Sequence, residues 1–456
     1  MRKLAAFEVA LCVLITGCAT KLQEAPSQEQ VLGDALPETT EIRPEWAAPA
    51  EDSGQVDDDW LATFNDPQLD ALVAEALDLQ NPNLRVLAAQ VDRAQAAARL
   101  AGSALKPTVA LGADLSGTAG PDPVEQTSAG AGIGISWEPD VWGRVQAGAN
   151  AADENLRATV ADFEFARQSL VANVAITWYL ATELRLQADL AREVVDLLHE
   201  SVRLVETRQS VGQVAMQDVY LVRADLASAE DALQQAISGQ QQARRALEIL
   251  LGRYPAGEIE TATELVPVPP AIGAGIPSDL LERRPDIIAA DGRVAAAFFL
   301  TEEARLAKLP SFPLSVSVGG SSDLSGLIGD LSAGIVAPLY TGGALEAQLE
   351  IATADQDAAI AAFGATVLQA LEQVEAGLTN EALLEQREMF LSQSVDNNKQ
   401  AYDLALKQFD VGQIDLLSVL QMQSRWIGAR TGLLRVKNAR LAERINLHLA
   451  LGGSFE

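Results

Sequence analysis

Ala129-Gly130-Ala131-Gly132-Ile133-Gly134-Ile135-Ser136-Trp137-Glu138-Pro139-Asp140-Val141-Trp142-Gly143-Arg144 reads as two elements joined at a proline. Up to Glu138 the residues alternate. Ala129, Ala131, Ile133, Ile135 and Trp137 share one face, and Gly130, Gly132, Gly134, Ser136 and Glu138 the other. Period-two alternation marks a strand. Beyond Pro139 no proline occurs from Asp140 to Tyr254. Proline removes a donor and clashes with the preceding helical turn, so a proline-free run of this length predicts helix. A strand at about 129–138 is therefore followed by a helical hairpin at about 144–252, with Gly212 at its midpoint as the turn.

The pattern extends outward in both directions. Upstream, Val109, Leu111, Ala113 and Leu115 alternate with Ala110, Gly112, Asp114 and Ser116, predicting a strand at about 108–117. Downstream, the chain repeats itself. Asn81-Pro82-Asn83-Leu84 answers to Arg284-Pro285-Asp286-Ile287, Val211-Gly212-Gln213 to Val411-Gly412-Gln413, and Leu251-Gly252 to Leu451-Gly452. A fixed period of about 200 residues means a duplicated unit. The second copy predicts strands at about 313–320 and 331–340 and a proline-free hairpin at about 344–451. Each copy opens with a helix, at 67–104 and 279–307. The division is 1–17 targeting segment, 18–59 extended arm, 60–253 first repeat, 254–278 proline-rich linker and 279–456 second repeat.

Four alternating strands of about ten residues match tilted membrane strands. Trp137, Trp142 and Tyr340 fall at their ends, where aromatic girdles lie. A soluble antiparallel sheet with one buried face would alternate in the same way. Four strands cannot close a membrane barrel, and an open edge in lipid leaves backbone groups unsatisfied. Several chains must then share one barrel: two would give eight strands, three would give twelve and room for a channel.

Composition narrows the function. The 456 residues hold 33 Lys and Arg against 63 Asp and Glu, a net charge of −30 that argues against nucleic-acid binding. Two cysteines exclude a disulfide scaffold. His199 and His448 are the only histidines and sit on separate helical stretches, so His-based metal or catalytic constellations lack material. Both read as packed or interfacial side chains, and Asp57-Asp58-Asp59 as a solvated charge run. No catalytic, cofactor-binding or metal-ligating set stands out, which predicts a non-enzyme.

The N-terminus carries Arg2 and Lys3, then a short apolar stretch ending Leu14-Ile15-Thr16-Gly17-Cys18. This is similar to a bacterial lipobox, which implies that Cys18 becomes the lipidated first residue, held in the outer membrane. No later segment reaches the length of apolar helix needed to span a bilayer.

The whole mature chain resembles the TolC/NodT-like outer-membrane efflux factors. The resemblance rests on Trp137 through Arg144, on Leu280-Leu281-Glu282-Arg283-Arg284-Pro285-Asp286-Ile287, and on Trp60 through Leu69 with Asn81 following. It implies a mostly α chain with a membrane β-barrel part: a homotrimer whose 12-stranded barrel continues into a helical tunnel. It implies a passive exit duct, served by a periplasmic adaptor and an inner-membrane pump of the resistance-nodulation-division type. A type I secretion or ABC export duct is the nearby alternative, and a pore-less lipid-anchored scaffold the distant one. The adaptor would dock on the tips at Val211, Gly212, Gln213, Val411, Gly412 and Gln413. The periplasmic aperture would be narrowed by Asp415, Leu416, Leu417 and Gln421, with Leu417 as an apolar ring. The Asp–Arg lock of relatives would fall on Gln421 and Ser424 and is missing.

Overall fold

The computed structural model describes residues 22–37, 39–40, 42–49, 54, 56, 58–78, 80–118, 126–321 and 327–455. Cys18 and the rest of the targeting segment lie outside them. After a short helix, α1 (Gln28–Ala35), and a 3₁₀ turn at Trp60–Phe64, each copy runs through the same elements. The first has α2 (Pro67–Ala76), α3 (Pro82–Ser103), β1 (Thr108–Thr118), β2 (Gln126–Trp137), α4 (Arg144–Ser210) and α5 (Met216–Leu250). The second has α6 (Leu280–Arg283), α7 (Pro285–Leu306), β3 (Leu314–Ser321), β4 (Ile328–Ala333), α8 (Ala344–Asp410) and α9 (Leu416–Ala450).

The opening helix of each copy is broken where one helix was expected. Pro82 and Pro285 each start a new helix, and the residue before a proline is pushed out of the helical region. That residue is then used as a staple. Asn81 donates through Nδ2 to Ala76 O (2.9 Å) and to Leu250 O (2.8 Å), and Arg284 Nη1 donates to Ala450 O (2.9 Å). Position for position, each copy ties its second helix to the end of its last one.

The chain forms two compact units. One comprises the residues up to Thr40, Ala89–Asp162 and Asp286–Thr366; the other comprises Glu41–Ala88, Phe163–Pro285 and Val367–Glu456. The first unit holds one antiparallel sheet in the order β1-β2-β3-β4. Its register pairs Leu111 with Ile133 and Ile133 with Val318, so the apolar residues of adjacent strands fall on one face. That face is open: Leu111 is 81% and Leu331 76% exposed. A soluble sheet would bury it, so the exposure decides for the membrane reading. The opposite face carries glycines, serines, Asp114 and Asp330. Gly132 and Gly319 face each other so closely that a Cβ on Gly319 would lie 2.8 Å from Ala131 O, which restricts the position to glycine. No described helix is long and apolar enough to cross a membrane.

The last strand starts earlier than the expected 331–340. Its ladder runs from Ile328 to Ala333 and resumes on the same register only as a bridge between Ser311 and Val336. Pro313, with no N–H to donate, stands opposite the break, and Gly334 N donates to Pro313 O at 3.0 Å. Trp142 is held by the chain itself. Its Nε1 donates to Pro310 O at 2.7 Å and its ring leans on Phe312, which builds it into the strand-to-helix junction.

Among the described residues the second unit has two apolar clusters. One gathers Trp60, Phe64, Trp178, Tyr179, Leu247, Leu441 and Ile445. Here His448 stacks on Trp60 at 5.4 Å, fully packed. Asp58 is exposed, as a solvated charge would be, and it also accepts from Arg283 Nη2 (2.9 Å) and from Ser454 N (3.2 Å). The linker is clamped by Glu248, whose carboxylate accepts the N–H groups of Gly257, Glu258 and Ile259 at 2.6–3.1 Å. The other cluster lies under the hairpin turns and frames the candidate site.

Candidate functional site

Both turns close in the same way. Gly212 and Gly412 adopt φ of +76° and +73°, the left-handed conformation that ends a helix and that only glycine takes without strain. Gln213 N donates to Arg208 O (2.9 Å) and Gln413 N to Gln408 O (2.8 Å), completing the helix-end motif. Val211, Gly212, Gln213, Val411, Gly412 and Gln413 are all exposed, and no atom lies within 4 Å of where a Cβ would stand on either glycine. The two tips are fastened together by Arg208. Its guanidinium lies over the Phe409 ring at 4.1 Å and pairs with Asp410 at 3.4 Å.

The aperture residues separate into two faces of α9. Leu416, expected at the constriction, is 7% exposed and belongs to the core with Val205, Val219, Phe409, Val419 and Leu420. Helical spacing explains this correction: 416, 419, 420 and 423 share a stripe, and 417 does not. Leu417 is 48% exposed and heads the opposite stripe, with Gln421, Ser424 and Arg425 at i+4, i+7 and i+8. Arg425 was not among the expected residues. Its spacing from Leu417 was the available signal, and it puts a cation one position beyond Ser424.

Asp415 opens α9 as its N-cap. Its Oδ1 accepts from Ser418 N (2.9 Å) and from Ser418 Oγ (2.6 Å). The two bonds from Ser418, led by its hydroxyl, hold the carboxyl below the usual carboxylate range. Further along α9, Trp426 stacks on Tyr402 at 5.5 Å while Arg430 lies over its ring at 4.9 Å. Arg430 also pairs with Glu193 of α4 at 2.9 Å, which ties the second hairpin to the first. Among the described residues no group of His, Cys, Asp and Glu side chains could hold a metal.

This geometry can be set beside known proteins. The profile of the outer membrane efflux protein family matches residues 72–253 and 276–453, one match on each repeat. The pyoverdine export outer membrane protein OpmQ of Pseudomonas putida is 30% identical over 432 residues, covering 90% of this chain and 92% of its own. The toluene efflux pump outer membrane protein TtgF, also of Pseudomonas putida, is 30% identical over 423 residues, covering 87% and 85%. The crystal structure of the outer membrane protein VceC from Vibrio cholerae superposes with a TM-score of 0.80 at 26% identity, covering 88% of this chain and all of that one (100%).

Proposed function

The chain belongs to the outer membrane efflux protein family, and from that premise we propose that it is the exit duct of a three-part efflux system, conducting small molecules without chemistry of its own. As an outer-membrane efflux channel it places β1–β4 in the bilayer. One observation carries the rest: a four-stranded sheet with its apolar face exposed and both edges, β1 and β4, open. Open edges are not tolerated in hydrocarbon, so β4 of one chain pairs with β1 of the next. Three chains give a barrel of twelve strands wide enough for a channel.

The paired hairpins then line a tunnel into the periplasm. Their glycine-turned tips offer backbone at close range to an adaptor, which in turn reaches an inner-membrane pump. Lipidation of Cys18 fits this placement: Leu22, four residues on, lies 3.2 Å from the Cβ position of Gly143 at the strand-to-helix junction. The stripe headed by Leu417 faces the axis and narrows the tunnel by apolar contact, with Gln421 beyond it and Asp415 spent on capping.

Purified protein in planar bilayers tests the reading. It should run as a trimer of low resting conductance, and Leu417→Ala should raise that conductance several-fold while Asp415→Ala changes it little. A monomeric, non-conducting protein would sink the duct. If Asp415→Ala opened the channel and Leu417→Ala did not, the apolar constriction would be wrong. Metabolic labelling with a palmitate analogue checks the anchor, since Cys18→Ala should abolish the label and leave the protein in the outer membrane.

A further inference from the structure

Away from the tips, the second unit contains a cleft of about 770 Å³ whose polar side chains the export path does not use. The start of α2, α4, α5 and the linker build it, with Gln68, Arg185, Arg244, Thr261, Glu260 and Glu264 on its walls and with Asp66, whose carboxylate is taken up by Gln68 N, Leu69 N and Trp178 Nε1, at its edge. Arg185 Nη1 donates to Thr261 O at 2.6 Å and so fixes the linker wall. Thr261 is 5% exposed, yet its hydroxyl has no partner among the described residues. Arg244 Nε is buried and also lacks one. A buried polar group left unpaired costs free energy that a ligand would recover.

The chemistry of the walls selects the ligand. Two guanidinium groups and a hydroxyl suit a carboxylate, because the planar fork of arginine donates two parallel bonds to it. Glu260 and Glu264 line the same cleft and would repel a simple dianion such as phosphate; they suit an ammonium group. We propose that this cleft binds a short free peptide as its zwitterion, the C-terminal carboxylate on Arg244, Arg185 and the Thr261 hydroxyl and the N-terminal ammonium on Glu260 and Glu264. Paired ammonium and carboxylate groups occur on free periplasmic peptides and, at the side chain of a diamino acid, on the peptide stems of the cell wall, both within reach of a protein held in the outer membrane.

Isothermal titration of the full-length protein with D-alanyl-D-alanine tests the site. The expected result is saturable binding at one site per chain, weakened at least tenfold by Arg244→Ala and three- to tenfold by Thr261→Val. The carboxamide form of the dipeptide should bind at least tenfold more weakly. Thr261→Val removes one oxygen at constant shape, so it serves if Arg244→Ala fails to fold. Absence of saturable binding, or equal binding by the carboxamide, overturns the proposal. Co-sedimentation with isolated cell-wall sacculi separates the two sources. Retention of wild type and loss of Arg244→Ala assigns the wall stems, and dipeptide binding without sedimentation assigns the free peptide. Bilayer conductance should be unchanged in these variants, so failure here leaves the duct standing, and the reverse holds.

Discussion

The two hairpins share a backbone and differ in what they place on it. At an offset of 200 residues, Met216 answers to Leu416, Gln217 to Leu417, Asp218 to Ser418, Tyr220 to Leu420 and Glu248 to His448. The turn glycines have nearly the same φ and the helices the same bounds, Met216–Leu250 and Leu416–Ala450. Yet Met216 is 44% exposed where Leu416 is buried, and Tyr220 is exposed where Leu420 is buried. Duplication preserved the scaffold, and the side chains then specialised. The second hairpin packs α9 into the chain's own core and turns Leu417 away from it, and the first leaves apolar side chains of α5 uncovered. The lesson is that repeat symmetry fixes geometry, while the division of work must be read residue by residue.

The strongest way to break this comparison is to truncate the paired positions. Leu416→Ala removes a buried side chain from the tip cluster and should cost about 2–4 kcal/mol. Met216→Ala removes one that already meets solvent and should cost under about 1 kcal/mol. Denaturant unfolding followed by helical circular dichroism measures both. Equal losses would mean that the first tip is as well packed as the second, and the asymmetry would fall.

The roots of the hairpins separate by pH. His448 is packed against Trp60 and beside Arg444, and burial first, then that guanidinium, push its pKa down to about 3. The folded state therefore holds it neutral, while the unfolded chain takes up a proton near pH 6.5. Stability from this group is intact above pH 6.5 and falls as pH drops toward 3. The loss should be about 2 kcal/mol by pH 5, from 1.36 kcal/mol per pH unit below the unfolded pKa. Glu248 is held below the usual carboxylate range. Burial opposes this, and the three linker N–H groups it accepts outweigh burial. Its contribution is present above about pH 4.5 and fades only at lower pH. Melting between pH 7 and 5 should thus fall in wild type and flatten in His448→Phe, while Glu248→Gln should keep the wild-type slope in that window. A steep slope retained in His448→Phe would show that another group governs acid sensitivity.

Much of this was legible in the sequence, for stated reasons. The duplication, the four strands and the two hairpins follow from proline placement and from alternation, both local signals. The break before Pro82 and Pro285 was equally local, yet helical composition on both sides masked it. The early end of β4 at Ala333 was not legible, because alternation runs on through Pro338 after pairing has stopped, and pairing depends on a partner strand. Leu416 and Leu417 could not be told apart by sequence alone. Which of two adjacent leucines faces inward is set by the phase of α9 against three other helices. The Arg244–Thr261 cleft was beyond reach, since its walls come from segments more than a hundred residues apart.

The smallest test of the comparison concerns the N-cap residue of α5 and of α9. A complete capping box has an N-cap side chain accepting from the third helical N–H, and the third side chain accepting from the N-cap N–H. Each hairpin carries one half. In the second, Asp415 accepts from Ser418 N at 2.9 Å. In the first, Asp218 accepts from Ala215 N at 3.1 Å, and Ala215 has no side-chain acceptor to return the bond. The backbone is ready for one: Ala215 sits at φ −79°, ψ 156°, close to the −82°, 166° of Asp415. Ala215→Ser would complete the box without moving the chain, and should stabilise the first hairpin by about 0.5–1 kcal/mol. Amide hydrogen exchange over the first turn of α5 resolves a change of that size and reports it locally. Slower exchange at Gln217 and Asp218, with no change at the second tip, would show that the first tip was limited by its missing cap. Unchanged exchange would place the weakness in the uncovered Met216 and Tyr220 face instead.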